Sequence, residues 1–227
     1  MERIILSWSG GKDSCMALHE LRQRGEVEVV GLLTTITGDC DRISMHGVRR
    51  DLLHAQAAAL ELPLHEVIIP PKCVNSDYEA AMGKALAALR EDGIRTVAFG
   101  DLFLEDIRAY RDRMMATVGM QTLYPVWGRD TRAFIEEFLA LDFRAVTVCV
   151  DLAKLDLGFS GRMIDAAFLA DLPAGVDPCG ENGEFHTFVF DGPSLSRPVG
   201  FTIGGRVERD GFGFCDLEPV ASEGGFR

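Results

Sequence analysis

The chain has 227 residues, of which 47% are apolar and 26% charged, the balance of a soluble globular protein with one large domain or a domain and an appendage. A formal net charge of −12, a pI near 4.8 and the lack of any basic block count against tRNA or another nucleic acid as substrate, because phosphate backbones are met by basic faces. No apolar run is long enough to span a bilayer, Ser7 to Ser14 interrupt any signal-peptide core, and the six cysteines (15, 40, 73, 149, 179, 215) form no Cys-x-x-Cys pair, which together predict reduced thiols in a cytoplasmic protein without zinc or disulfides.

Strand-like and helix-like patterns alternate through the first half. Residues 3–8 read as a strand, and Cys15 to Arg24 as a helix with Met16, Ala17, Leu18 and Leu21 on its apolar stripe, ended by Gly25. Val27 to Ile36 is a buried strand, Val48 to Leu60 a helix, and Leu64 to Ile69 a strand closed by Pro70-Pro71. Ser76 or Asp77 is the expected cap of a helix running to Arg90. Ile94 to Phe99 is a strand ending at Gly100-Asp101, Ile107 to Val118 a helix, and Leu123 opens a short strand that stops at Pro125. After Trp127 the pattern changes. Thr131 to Leu141 reads as helix, Ala145 to Val150 as strand, and Met163 to Leu172 as helix. A loop follows from Asp177 to Thr187, then short strand-like pieces at 188–190 and 199–203, and a weakly patterned tail from Glu208. The expected fold is α/β: a Rossmann-like parallel sheet with helices on both faces over 1–127, plus a smaller α+β subdomain over 128–227.

The chemistry concentrates at strand ends, where open parallel sheets bind ligands. Ser9-Gly10-Gly11-Lys12-Asp13-Ser14 turns the first strand into a helix. Its glycines admit close approach of an anion, the helix N-terminus supplies N–H groups, and Ser9, Ser14 and Lys12 add donors. The Walker A spacing is absent. Asp13 and Asp101 are the expected Mg²⁺ ligands and catalytic carboxylates. Thr34, His46, Gly100 and Arg108 complete the expected nucleotide site, Arg108 as a partner for phosphate or carboxylate. Within Asp177 to Thr187, Glu181, Glu184 and His186 form the second catalytic candidate cluster, a loop suited to an amine, a metal or a polar substrate. Cys179 lacks an evident base and is a weak nucleophile candidate.

The Ser-Gly-Gly-Lys-Asp-Ser loop resembles the pyrophosphate loop of the ATP pyrophosphatases. The Met45-His46 segment, the Gln56-Ala57 helix with Leu62-Pro63-Leu64, Gly100-Asp101 leading to Tyr124-Pro125-Val126-Trp127, and the run from Gly180 to Thr187 follow it in order. Together, over residues 4 to about 193, they resemble the diphthine–ammonia ligase family. The resemblance implies an adenine-nucleotide α-hydrolase-like fold and an ATP-dependent amide ligase. ATP and ammonia would be its substrates with Mg²⁺ as cofactor, elongation factor 2 its protein substrate and a homodimer its assembly. ATP would leave as AMP and pyrophosphate after activating a carboxylate as its adenylate. Two departures stand out: Met45 precedes His46 where some members carry an aromatic residue, and the eukaryotic relatives continue into extra C-terminal domains. The competing readings are an ATP pyrophosphatase acting on tRNA or a small carboxylate, and a nucleotide-binding regulator without catalysis.

Overall fold

The computed structural model describes residues 1–38, 41–71 and 73–220; Cys40 and the end of the glycine-rich tail lie outside them. The chain runs β1 (Glu2–Ser7), α1 (Lys12–Arg24), β2 (Val27–Thr37), β3 (Arg42–Ile43), α2 (Arg50–Leu60), β4 (Leu64–Ile69), α3 (Asn75–Glu91), β5 (Thr96–Ala98), α4 (Glu105–Thr117) and β6 (Gln121–Leu123). Strands β4, β2, β1, β5 and β6 are parallel neighbours in that order, and β3 adds an antiparallel pair at the far end of β2, so the sheet is mixed.

Alternation along β1 places helices on both faces. Ile4 and Leu6 join one core with Met16, Leu18 and Leu21 of α1 and Leu53 and Leu60 of α2. Ile5 points the other way, to Met82, Leu86 and Leu89 of α3 and Met115 of α4. Helix α1 ends as its sequence requires, at Gly25 in the left-handed conformation. Helix α3 departs from expectation. It begins at Asn75 with Val74 at the N-cap and no side-chain cap, and Ser76 and Asp77 lie inside it.

The second half contains α5 (Thr131–Ala140), β7 (Arg144–Asp151), α6 (Ala166–Asp171), β8 (Phe185–Asp191), β9 (Phe201–Arg209) and β10 (Phe212–Pro219). Its four strands form a separate antiparallel sheet in the order β8, β7, β10, β9. The helix expected from Met163 is shorter, because the Asp165 carboxylate accepts the Phe168 N–H at 2.7 Å and sets the start at Ala166. The strand-like piece at 199–203 and the weakly patterned tail from Glu208 form one long hairpin. Asp210 and Gly211 both take positive φ (53° and 83°) in a two-residue turn between β9 and β10. Phe134, Phe138, Phe168, Phe185 and Phe188 of this half bury into the same core as α1 and α2, so the antiparallel sheet closes over that face. Each fully buried phenylalanine contributes roughly 1.5–3 kcal/mol.

Candidate active site

Strand order reverses between β1 and β5, and the two segments leaving those strands meet there. A Cβ on Gly100 would lie 2.8 Å from the Asp13 carbonyl carbon and 2.9 Å from the Ser14 nitrogen. Only a bare backbone lets the exit of β5 lie against the start of α1. Beside this junction opens a cavity of 710 Å³, the size of a small-molecule site.

Strand β8 braces the phosphate loop from the other half of the chain. The Lys12 N–H donates to Oγ1 of Thr187 at 3.0 Å, and the Val189 N–H to the Gly10 carbonyl at 2.9 Å. Gln56, fully buried on the apolar face of α2, ties the same region together. Its Oε1 accepts from the Trp8 indole at 2.7 Å, and its Nε2 donates to the carbonyls of Gly10 and Val189 at 3.0 and 2.6 Å. Three donors and acceptors are thus satisfied inside a core, where an unpaired one is costly.

Ser9, Gly11, Lys12, Asp13, Ser14, Thr34, His46, Gly100, Asp101, Glu181, His186 and Thr187 all line the cavity. Lys12 Nζ sits 2.9 Å from both Asp13 oxygens and is 2% exposed. Burial opposes its charge, but Asp13 overrides this and keeps Lys12 an ammonium. Glu181 Oε1 accepts the Leu102 N–H at 2.7 Å, linking the second loop to the exit of β5. Burial and the neighbouring Asp13 push the Glu181 carboxyl up to about 7. His46 and His186 stack with centroids 4.4 Å apart. Burial, each other's proximity and the Lys12 charge hold His46 well below its ordinary value, and burial with Lys12 brings His186 down to about 4, so both rings are neutral at pH 7.

Three expected site residues lie off the cavity. Gly10 faces Gln56 and β8. Arg108 stacks on Tyr124 and Trp127, at 4.8 and 4.6 Å from their ring centroids, with Asp112 at 3.9 Å. Glu184 is 3% exposed and wires its own loop, accepting from the backbone of Asp177 and Asn182 at 3.1 and 3.0 Å. Asp177 does the same for Cys179 and Glu181 at 2.9 and 3.2 Å. Gly180 permits the turn: its φ is +65°, and a Cβ there would lie 2.8 Å from the Phe185 carbonyl oxygen. Cys179 is fully buried, its Sγ bonded to the Thr131 carbonyl at 3.1 Å, and burial raises its thiol far above the ordinary range. It is not placed to be a nucleophile. Among the described residues the cavity arginine is Arg111, one turn along from Arg108.

The sequence model of the diphthamide synthase N-terminal domain matches residues 1–122, and that of the diphthamide synthase C-terminal domain matches 130–219. The chain belongs to the diphthamide synthase family. Relatives named diphthine–ammonia ligase include one from Schizosaccharomyces pombe, 25% identical over 94% of this chain, and ones from Bos taurus and Danio rerio, 23% and 25% identical over 87% of it. The chain spans 38% of the Schizosaccharomyces pombe protein, and 82% and 85% of the other two. A solved structure titled as a predicted subunit of tRNA methyltransferase from Methanocaldococcus jannaschii aligns with a TM-score of 0.41 at 18% identity, over 66% of this chain and 79% of that one. A likeness that loose adds nothing to the family assignment. Among the described residues, no helix of this diphthamide synthase family member is long and apolar enough to cross a membrane.

Proposed function

We propose that this protein is an ATP-dependent ligase that activates a carboxylate as its acyl-adenylate and releases the amide when ammonia displaces AMP, in the cytoplasm. The supporting observation is the convergence of two motifs distant in sequence. The loop Ser9–Ser14 and the loop carrying Glu181 and His186 line one cavity and are bonded to each other through Thr187. Residues 1–127 act as the nucleotide part and 128–227 as the substrate-facing part.

The phosphate loop holds the β and γ phosphates, with the Lys12 ammonium and the α1 amides that follow Lys12 as donors. The carboxylate oxygen attacks the α phosphorus, the bond to the bridging oxygen breaks, and pyrophosphate leaves with the electron pair. Ammonia then attacks the acyl carbon, and the AMP oxygen leaves. Glu181, held near neutrality by its surroundings, takes the proton from the incoming ammonium. The neutral His46–His186 stack presents ring nitrogens to the substrate without adding positive charge.

The donor set fits Mg²⁺. Burial and, behind it, the Asp101 charge raise the proton affinity of Asp13, and burial, Asp13 and Asp101 raise that of Glu181, an excess of carboxylate that a divalent cation relieves. Asp13 and Asp101 would hold it. Among the described residues no three metal-ligating side chains form a metal site by themselves, so the phosphates would supply the remaining ligands. When bound, the ion neutralises charge developing on the phosphates.

Diphthine on elongation factor 2 is the proposed protein substrate. Labelled ATP, ammonium and that factor, with chromatography of the nucleotide, test the reading. AMP with amidated factor is expected. ADP as sole product rejects the chemistry. AMP without amidation of the factor rejects the substrate.

A further inference from the structure

Two strong cations line the cavity among the described residues, Lys12 and Arg111. Lys12 is buried, and two of its three ammonium hydrogens go to Asp13. Arg111 is differently held. Its guanidinium carbon lies 4.5 Å above the Phe99 ring, a flat support that fixes its plane. Its Nη2 donates to Asp101 Oδ1 at 3.1 Å. Its Nε lies 2.8 Å from Asp101 Oδ2, yet both of those buried atoms lack a hydrogen bond of good geometry. The pair is therefore held mainly by charge, and a guanidinium with five donors keeps most of its fork for another anion. The pair also sits beside the phosphate loop, because Gly100 packs directly on Asp13 and Ser14.

We propose that Arg111 binds the departing pyrophosphate, and that Asp101 holds it in waiting until the nucleotide arrives. This rests on the ligase reading above. The bridging oxygen gains charge as its bond to the α phosphorus breaks. A planar donor fork beside the phosphate loop meets that charge on the β phosphate, in the same cavity that the Glu181 and His186 loop lines. Arg111 transfers no proton; it stabilises the leaving group as two charge-assisted bonds replace the contact with Asp101. The sequence neighbour Arg108 cannot take this task, since Tyr124 and Trp127 hold it outside the cavity.

The test is calorimetric titration of the full chain with pyrophosphate and, separately, AMP, in magnesium buffer. Wild type, Arg111→Gln and Arg111→Lys are compared, with Arg132→Gln as control, because Arg132 is exposed and, among the described residues, pairs only with Glu136 along α5. Arg111→Gln should weaken pyrophosphate about 10- to 100-fold, the loss expected for a charged hydrogen-bonding partner, and leave AMP binding unchanged. Arg111→Lys should recover part of the loss, a pattern that a merely structural role would not produce. In turnover, kcat should fall while KM for the carboxylate substrate holds. Equal pyrophosphate affinity in wild type and Arg111→Gln overturns the proposal, as does a raised KM for the carboxylate with pyrophosphate binding intact. A wild type that binds neither AMP nor pyrophosphate overturns the ligase reading itself, a result distinct from failure at Arg111 alone.

Discussion

The N–H of Lys12 donates to the hydroxyl of Thr187, 175 positions later, at 3.0 Å. The first amide of α1 is therefore spent on β8 and not on a ligand, and the antiparallel sheet sets the height of the phosphate loop. Thr187→Val keeps the shape and removes the acceptor. It leaves a buried N–H unpaired, at a cost of about 1–3 kcal/mol. A lower melting temperature and weaker ATP binding are expected, with Thr187→Ser close to wild type; calorimetry and thermal denaturation measure both.

Gly100→Ala should damage nucleotide binding more than the fold. The added methyl meets the backbone of Asp13 and Ser14, which cannot rotate away as a side chain would. The loop has to shift, at roughly 1–3 kcal/mol for overpacking. ATP affinity should drop at least tenfold while circular dichroism stays native. Unchanged ATP affinity would sink this account of the junction.

Glu181 sets a pH dependence. Its folded value near 7 lies above its ordinary 4.5 because burial, then Asp13, disfavour the anion. The folded state thus binds the proton more tightly than the unfolded one. Its contribution to stability is full below about pH 4.5 and is lost as pH rises through 7. As proton acceptor it works the other way, so ammonia-dependent AMP release should rise about tenfold per pH unit below 7 and level off above it. Glu181→Gln should abolish that limb and gain stability over wild type as pH rises from 5 to 8. A wild-type profile flat between pH 5.5 and 8 would remove Glu181 from the proton transfer.

Asp216 on β10 accepts from Arg42 Nη1 at 2.9 Å and from Arg49 Nε and Nη2 at 3.0 and 2.6 Å. These arginines flank the turn that carries His46, and Arg42 also holds the Gly47 carbonyl at 2.6 Å. Hydrogen bonds from Arg49, against the opposing effect of burial and with help from Arg42, bring the Asp216 carboxyl down to about 2. Its stabilisation is present above about pH 4 and lost as pH falls through 2. Asp216→Asn should cost about 1 kcal/mol at pH 7, the low end because Arg49 is 39% exposed and screened. It should also loosen the His46–His186 stack, read as a changed histidine ring signal by NMR.

How much was legible in the sequence follows from the range of the interactions. Local patterning determined most strands and helices of 1–127, the helix end at Gly25 and the strand-exit placement of Ser9–Ser14 and Gly100-Asp101, because these depend on residues a few positions apart; it missed β3 at Arg42–Ile43 and set the strand that is β6, Gln121–Leu123, to begin at Leu123. The hairpin β9–β10 had a local signal, Asp210-Gly211, masked by the polar and glycine-rich strands around it. The start of α3 was misread because its backbone begins at Asn75 without the side-chain cap that sequence reading relies on. Tertiary structure alone decided that Thr187 and Gln56 brace the phosphate loop, that Asp216 governs the His46 turn, and that Arg111 enters the cavity where Arg108 does not. Arg108 and Arg111 stand three residues apart on one helix, and their chemistry is identical. Only the aromatic rings that packing brings up, Tyr124 and Trp127 beside one and Phe99 beside the other, send one guanidinium away from the cavity and the other into it.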